Sequence, residues 1–219
     1  MASQTKEDYL KVLYGLYLKK QVIKTSDIAK EMDVSTPTIS DMVKKLDAIG
    51  WVKYEKYKPL KLTKEGEHYA SQIIRKHRLA EMFLTEVMGF GWEEVHEIAE
   101  EMEHLSSVSL FRRMDQMLDF PHEDPHGSPI PDESGQIKKR DYKLLSELSE
   151  GVHVKVKAIK DSSQDFLTYL TDKQIQLGTE IFVRQIEDFD QSFSVDYDKQ
   201  QNQMLSQKVC ERLLVEVIL

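Results

Sequence analysis

Apolar residues recur at spacings of three and four along most of the first 118 positions and alternate in short runs afterwards. This predicts a mainly α chain with a β-rich C-terminal part. Over 6–19, Tyr9, Leu10, Leu13, Tyr14, Leu16 and Tyr17 form one stripe of an amphipathic helix. Two shorter helices are predicted at 25–33 and 36–49, with Gly50 where a stop is expected. Residues 51–55 and 59–63 read as two short strands around a lysine-rich turn. Helical spacing resumes from 64 to about 88, then over 92–105 and 106–118, with Gly89 and Gly91 between the first two. Pro, Gly, His and Asp crowd 119–135, a loop by composition and a natural domain boundary. A short helix at 141–149 then gives way to alternating runs at 152–156, 179–183 and 193–197, the signature of a small barrel.

Residues 25–46 carry the first chemical pattern. Thr25 or Ser26 can cap one helix, with Ile28, Ala29 and Met32 turned inward. Ser35 or Thr36 can cap a second, with Pro37 in its first turn, where a missing N–H costs nothing. Ile39, Met42, Val43 and Leu46 face a core, leaving Thr36, Thr38, Ser40, Asp41 and Lys44 outward. Small polar side chains on one exposed helix face suit insertion into a DNA major groove. The ribbon that follows carries Lys53, Lys56, Lys58 and Lys61, placed as a wing that meets phosphates. Together these predict a winged helix-turn-helix whose DNA contacts come from Ser35, Thr36, Pro37, Thr38, Ser40, Asp41, Lys44, Lys53, Lys56 and Lys58. Asp41 is the odd member, a carboxylate that would repel phosphates but can accept from a cytosine amine. The same pattern also describes a three-helix packing unit with a solvated face.

Charge changes the picture only when divided. The net charge of −8 argues against nucleic acid, yet residues 1–62 hold 12 Lys/Arg against 8 Asp/Glu and the remainder 18 against 30. A basic N-terminal module on an acidic remainder fits a DNA-binding part joined to an effector part. Cys210 is the single cysteine, which excludes internal disulfides and thiolate zinc clusters; it reads as a small hydrophobe in a strand. The N-terminus lacks a signal-like apolar run, and no apolar stretch approaches the ~20 residues of a membrane span, so a cytoplasmic protein without a membrane partner is expected.

The acidic part contains a second pattern. Five of the seven histidines fall between 77 and 126 among many carboxylates. His77 and Glu81 are four apart on one helix face. In VHEIAEEMEH at 95–104, His96, Glu100, Glu103 and His104 lie within about 100° of helical arc, opposite Val95, Ile98, Met102 and Leu105. This is a ligand-like stripe, or equally a solvated acidic face. Asp124 and His126 form a weaker cluster in the loop, and His68, His122 and His153 stand as ordinary surface histidines. The pairs Glu93-x-x-His96 and Glu101-x-x-His104 imitate the Glu-x-x-His pairs of di-iron bundles. Those pairs belong on two helices, and both of these lie on one. No phosphate loop or nucleophile arrangement accompanies them, so an enzyme is not expected.

KEDYL at 6–10, DVSTPTISDMVKKL at 33–46, HRLAE at 77–81, VHEIAEEMEH at 95–104 and DPHGSPIP at 124–131 together resemble the diphtheria-toxin-repressor and manganese-transport-regulator family. The resemblance runs over essentially the whole chain and is to its three-domain, streptococcal-like manganese-sensing branch. It implies a winged helix-turn-helix DNA-binding domain at 1–72, a helical dimerisation and metal-binding domain at 73–140, and an SH3-like, FeoA-like domain at 141–219. It further implies a primary metal site of Asp8, Glu100, Glu103 and His104. The iron-sensing branch has methionine and cysteine in place of Asp8 and Glu100; trading sulfur for hard oxygen favours Mn²⁺, with Fe²⁺ the alternative. Lys11 stands where two-domain manganese regulators carry glutamate, so a binuclear site of that kind is not implied. A secondary site would use Glu81, Asp124, His126 and Asp161, and His77 and His96 match ligands of an ancillary iron-branch site.

The function these readings predict is a homodimeric repressor that binds double-stranded operator DNA when a divalent metal ion is present and controls metal-uptake genes. The helix at 106–118, with Val108, Leu110, Phe111, Met114 and Met117, offers a dimer surface or plain core. The competing reading is a winged-helix regulator that answers a non-metal effector or a protein partner.

Overall fold

The computed structural model describes residues 3–20, 22–56, 58–138 and 140–218. It divides into two compact units, each drawing on more than one stretch of chain: Met1–Ala80, Ala99–Met117 and Ile130–Ile137 in the first, Glu81–Ile98, Leu118–Pro129 and Lys138–Leu219 in the second.

The first unit begins with α1 (Gln4–Lys20), α2 (Thr25–Glu31) and α3 (Thr36–Ala48), followed by the hairpin β1 (Val52–Lys53) and β2 (Lys61–Leu62). One apolar core joins them: Leu10 and Leu13 of α1, Ile28 of α2, Ile39, Val43 and Leu46 of α3, and Trp51, Val52 and Leu60 at the hairpin. Truncating any of the fully buried aliphatics would cost about 2–5 kcal/mol, so α1 and α3 behave as parts of one body. The hairpin is shorter than predicted, pairing only Val52 with Leu62 and Lys53 with Lys61. Tyr57, in its lysine-rich turn, lies outside the described residues. α2 is capped by neither Thr25 nor Ser26: Lys24 is its N-cap, and the Asp27 carboxylate accepts from Lys24 N at 2.9 Å. Ser35 is the N-cap of α3, with Pro37 in the first turn as expected.

The long helix α4 (Lys64–Glu86) gives its first part to this unit, with the end of α5 (Val95–Met102) and all of α6 (Val108–Met117). α5 is shorter than the predicted 92–105, so Glu103 and His104 stand in the turn beyond it. Its inward side keeps Val95 as predicted but is otherwise shifted: Ala99 and Glu103 are buried with it, while Leu105 is exposed. On α6, Phe111 and Met114 are buried and Val108, Leu110 and Met117 are exposed. Residues 130–137 lie along α4. Arg75 donates to Pro131 O at 2.6 Å and pairs with Asp115, Gln72 donates to Glu133 O at 3.2 Å, and Ile137 packs on the apolar core.

The second unit is built on an antiparallel six-stranded sheet in the order β3-β8-β4-β5-β6-β7. Its strands are β3 (Lys143–Leu144), β4 (His153–Ile159), β5 (Glu180–Ile186), β6 (Phe193–Tyr197), β7 (Gln200–Leu205) and β8 (Leu213–Val217). Register shifts in three of the pairings bend it, as a small barrel requires. Inward alternation of Val154, Val156, Ile181, Val183, Phe193, Val195 and Tyr197 forms its core with Leu167 and Leu170 of α7 (Gln164–Asp172). The predicted helix at 141–149 is instead β3 followed by a single 3₁₀ turn, Leu145–Glu147, and Cys210 ends the short helix α8 (Gln207–Cys210), not a strand. No helix among the described residues is long and apolar enough to cross a membrane.

Candidate metal centre

The first cluster forms where α1 meets the end of α5. On α1, Glu7 shares the inward stripe with Leu10 and Tyr14, at helical spacings of three and seven, and is buried among them. Asp8, one residue on, is half-exposed at the rim. The end of α5 is held against α4 by Lys76, whose ammonium donates to the carbonyls of Glu103 (3.2 Å) and Leu105 (2.9 Å). A cation at the C-terminal carbonyls satisfies acceptors that have no intrahelical partner. It also fixes the turn that carries Glu103 and His104.

Asp8, Glu103 and His104 each offer one ligand atom, and these atoms lie within 4.8 Å of one another. His104 Nε2 is 3.0 Å from Asp8 Oδ1 and 3.8 Å from Glu103 Oε1. The other ring nitrogen, Nδ1, is 2.7 Å from Glu7 Oε2, and Glu7 Oε1 in turn accepts from Tyr69 O–H at 2.7 Å. Tyr69 is stacked on Trp51, with ring centroids 4.2 Å apart. With Nδ1 facing Glu7, Nε2 faces Asp8, and a second-nitrogen partner of this kind is how proteins orient a metal-binding imidazole.

Glu103 is wholly buried, with Oε2 at 2.6 Å from His77 Nδ1 and Oε1 at 2.7 Å from Lys11 Nζ. Burial pushes its carboxyl up, but the His77 hydrogen bond and the Lys11 charge outweigh this and hold it below its ordinary value. Asp8 goes the other way: burial raises its carboxyl more than His104 and Lys11 lower it, with Glu103 and Glu100 adding to the rise. Burial and the hydrogen bond to Glu7 push the Tyr69 phenol up to about 12, keeping it a donor. Glu100 stands apart on the exposed side of α5, with Oε1 3.4 Å from Lys11 Nζ. Oxygen and imidazole donors converging on one point, with the histidine pre-oriented, fit a divalent cation of hard or borderline character.

The second cluster lies within the other unit. Glu81, Asp124 and His126 are all buried and offer ligand atoms within 4.8 Å of one another. Asp124 Oδ1 accepts from His126 N and Ser128 N, both at 2.9 Å, folding the loop around its own carboxylate. Gly127 is held at φ +79°, where an added Cβ would strike Lys157 O and Ala158. His126 O accepts from Ile159 N of β4 at 3.0 Å. The ring donates Nε2–H to the Trp92 carbonyl at 2.9 Å and turns Nδ1 toward Glu81 Oε2, 3.7 Å away. Burial lowers the imidazole, yet Glu81, Asp124 and the Trp92 carbonyl raise it further, so it ends above its ordinary value.

Asp161 is not brought into this group. Its carboxylate pairs with Arg212 Nε at 2.9 Å and accepts from Ser163 N at 2.9 Å. Burial raises it, and these bonds more than reverse the effect. Asp161 and His96 line a separate 870 Å³ cavity with Arg212 and Lys160. His96 Nδ1 is 3.1 Å from Glu81 Oε1, and His77 Nδ1 is 2.6 Å from Glu103 Oε2.

Sequence reasoning missed Glu7, Tyr69, Lys76 and the Trp92 carbonyl. For Glu7 a signal existed: a carboxylate on the apolar stripe of α1 needs a buried partner. No comparable signal marks a backbone carbonyl.

On the predicted DNA-reading face, Ser35, Thr36, Pro37, Thr38, Asp41 and Lys44 are exposed and Ser40 is half-buried. Ser40 Oγ is turned back to Thr36 O at 3.0 Å, Thr38 Oγ1 is 2.8 Å from Ser35 Oγ, and Lys44 pairs with Asp41 at 3.3 Å. In the hairpin Lys53 and Lys56 are exposed, and Lys58 pairs with Glu55. Asp41 and Lys44 on the predicted reading face of α3 thus form a local pair.

Three family models match in succession: an iron-dependent repressor N-terminal DNA-binding domain over residues 1–60, an iron-dependent repressor metal-binding and dimerisation domain over 63–132, and a FeoA domain over 143–217. The chain is 31% identical to the diphtheria toxin repressor of Corynebacterium glutamicum over 187 residues, 81% of this chain and 82% of that protein. Among solved structures it is similar to a manganese-dependent transcriptional repressor in complex with manganese (TM-score 0.85, 31% identity, 97% of this chain and 100% of that one). It is likewise similar to ScaR with bound Cd²⁺ (TM-score 0.79, 37% identity, 97% and 99%).

Proposed function

We propose, from the premise that this chain belongs to the iron-dependent repressor family, that it represses transcription by binding operator DNA as a homodimer when Mn²⁺ occupies the Asp8–Glu103–His104 site. The observation that carries the reading is the convergence of these three groups around an imidazole already oriented by buried Glu7. A bound cation would supply positive charge to the carboxylates of Asp8 on α1 and Glu103 at the end of α5, with Glu100 proposed as a further ligand. The donors are oxygen and imidazole nitrogen, without thiolate or thioether, which favours Mn²⁺ over softer ions and leaves Fe²⁺ as the alternative.

The chain's own residues carry the consequence to DNA. Asp8 lies on α1, whose Leu10 and Leu13 share a core with Ile39, Val43 and Leu46 of α3. Fixing α1 at Asp8 therefore fixes the recognition helix against the turn held by Lys76. The exposed Val108, Leu110 and Met117 of α6 form the dimer surface in this reading. A two-fold dimer then sets the recognition-helix spacing, which must match half-sites ~34–36 Å apart or a multiple of that. Ser35, Thr36, Pro37, Thr38, Ser40, Asp41 and Lys44 address base edges and adjoining backbone, while Lys53, Lys56 and Lys58 meet phosphates.

In this reading the domains run 1–72, 73–140 and 141–219, an order that the three family matches support, and the second cluster, Glu81, Asp124 and His126, is proposed as a further metal site. Asp161 stays with Arg212 in this reading. The test is fluorescence anisotropy on a metal-uptake promoter at fixed salt, with chelator, Mn²⁺, anaerobic Fe²⁺ and Zn²⁺ in turn. Tight binding with Mn²⁺ that Glu103→Ala abolishes supports the proposal; equal binding in chelator removes the metal switch.

A further inference from the structure

Glu103 is the most buried carboxylate of the first cluster, and a carboxylate so placed needs a compensating charge whether or not an ion is present. One of its oxygens is held by His77, the other, Oε1, by Lys11 Nζ at 2.7 Å. Oε1 is also the Glu103 oxygen recorded at 3.8 Å from His104 Nε2. Lys11 thus sits on the oxygen that a cation shared with His104 would take. Its ammonium reaches Glu100 as well, at 3.4 Å, so one side chain neutralises both acidic candidates on the α5 side. Lys11 stands three residues after Asp8 on α1, and the ion pairs therefore already join α1 to the end of α5.

We infer that Lys11 is an internal counter-cation: it holds Glu103 and Glu100 in the metal-free protein and must give up Glu103 Oε1 when the ion arrives. This rests on the assignment of Asp8, Glu103 and His104 as the metal site. Lys11 stabilises the empty site and weakens the filled one, raising the ion concentration at which the site is occupied. A side chain reaching a carboxylate through a flexible stem can withdraw with little cost to the backbone. The geometry makes Lys11 a residue that sets the response threshold without being a ligand.

The probe is Mn²⁺ alone, titrated into full-length protein and followed by the free-ion EPR signal, alongside thermal melting in chelator. The variants are Lys11→Met, Lys11→Gln and Lys11→Arg, with Glu103→Ala marking which binding belongs to this site. Lys11→Met and Lys11→Gln are expected to bind Mn²⁺ about tenfold more tightly, because no competing state is left to displace. The same two variants should melt at a lower temperature in chelator, where Glu103 has lost a partner, and Lys11→Arg should resemble wild type in both assays. Loosened or unchanged affinity in both neutral variants, while Glu103→Ala still removes a site, overturns the proposal alone. If Glu103→Ala leaves every Mn²⁺ site intact, the assignment of the metal centre fails and the proposal fails with it.

Discussion

In the cluster at Asp8, Glu103 and His104 the imidazole commits Nδ1 to Glu7 and turns Nε2 inward, whereas at Glu81, Asp124 and His126 it commits Nε2 to the Trp92 carbonyl and turns Nδ1 inward. Both arrangements pre-orient a histidine through its second nitrogen. They differ in what surrounds the ligand atoms. The first has a half-exposed Asp8 and the lysine tether of Lys11, and it lies on α1, which shares its core with the recognition helix. The second is buried throughout and locked by loop backbone bonded to Asp124 and β4. A site that must switch needs a side that can move, and a site that holds a loop together needs none. The first is therefore suited to sensing and the second to fixing structure.

The sharpest way to break this comparison is His104→Ala beside His126→Ala. His104→Ala should lower Mn²⁺-stimulated operator affinity by about 100-fold, the upper part of the usual range for coupling between sites. His126→Ala should bind one ion fewer and melt earlier, while keeping most of the Mn²⁺ effect on DNA. Anisotropy with and without Mn²⁺ measures both. If the two effects are exchanged, the sensing role belongs to the second cluster.

Next in size is Glu7→Ala. Loss of the partner that orients a ligating histidine costs about 10–100-fold in metal affinity, and the same EPR titration reads it. Glu7→Gln keeps an acceptor for the imidazole and should recover most of that loss. An affinity unchanged in Glu7→Ala would mean that His104 is oriented by packing alone.

A smaller and purely structural effect is expected from Gly127→Ala. The positive φ and the approach to Lys157 O and Ala158 make it destabilising by about 1–3 kcal/mol, measured by denaturant titration. The Mn²⁺ affinity of the first cluster should be unaffected. A fall there would tie the two clusters together and end the division of labour.

How much of this was legible in the sequence varies with the range of the interactions involved. The α1 and α3 stripes were readable because periodicity reports which side faces a core, and Leu10, Leu13, Ile39, Val43 and Leu46 are all buried as predicted. The FeoA-like tail was read only as an alternation of strands: β7 and β8 were missed, since QQNQML does not alternate cleanly and β8 follows a helical turn. At the candidate site, a single stripe on one helix placed His96, Glu100, Glu103 and His104 together. The structure keeps Glu103 and His104 together with Asp8 but leaves Glu100 on the exposed side, because α5 ends at Met102 and Glu103 turns inward to Lys11 and His77. Asp124 and His126 drew little weight as loop residues, yet Asp124 organises that loop. Partners supplied by distant chain, such as Tyr69 for Glu7, leave no periodic trace at all.

The smallest effect, and the finest probe of the first cluster, is Tyr69→Phe. The ring stays stacked on Trp51 at the start of the wing, so packing is retained and only the hydroxyl that donates to Glu7 is lost. A charge-assisted hydrogen bond of this kind contributes about 1.5–3 kcal/mol when buried and less when water can replace it. Tyr69 is half-buried, so a loss of about 1 kcal/mol in stability is expected, with a few-fold weakening of Mn²⁺ binding. The informative quantity is the cycle with Glu7→Gln. If Tyr69 acts on the metal site through Glu7, the double variant should lose less Mn²⁺ affinity than the two single losses combined. Additive losses would mean that the phenol contributes only to folding, and that the hydrogen-bonded path from His104 toward the wing ends at Glu7.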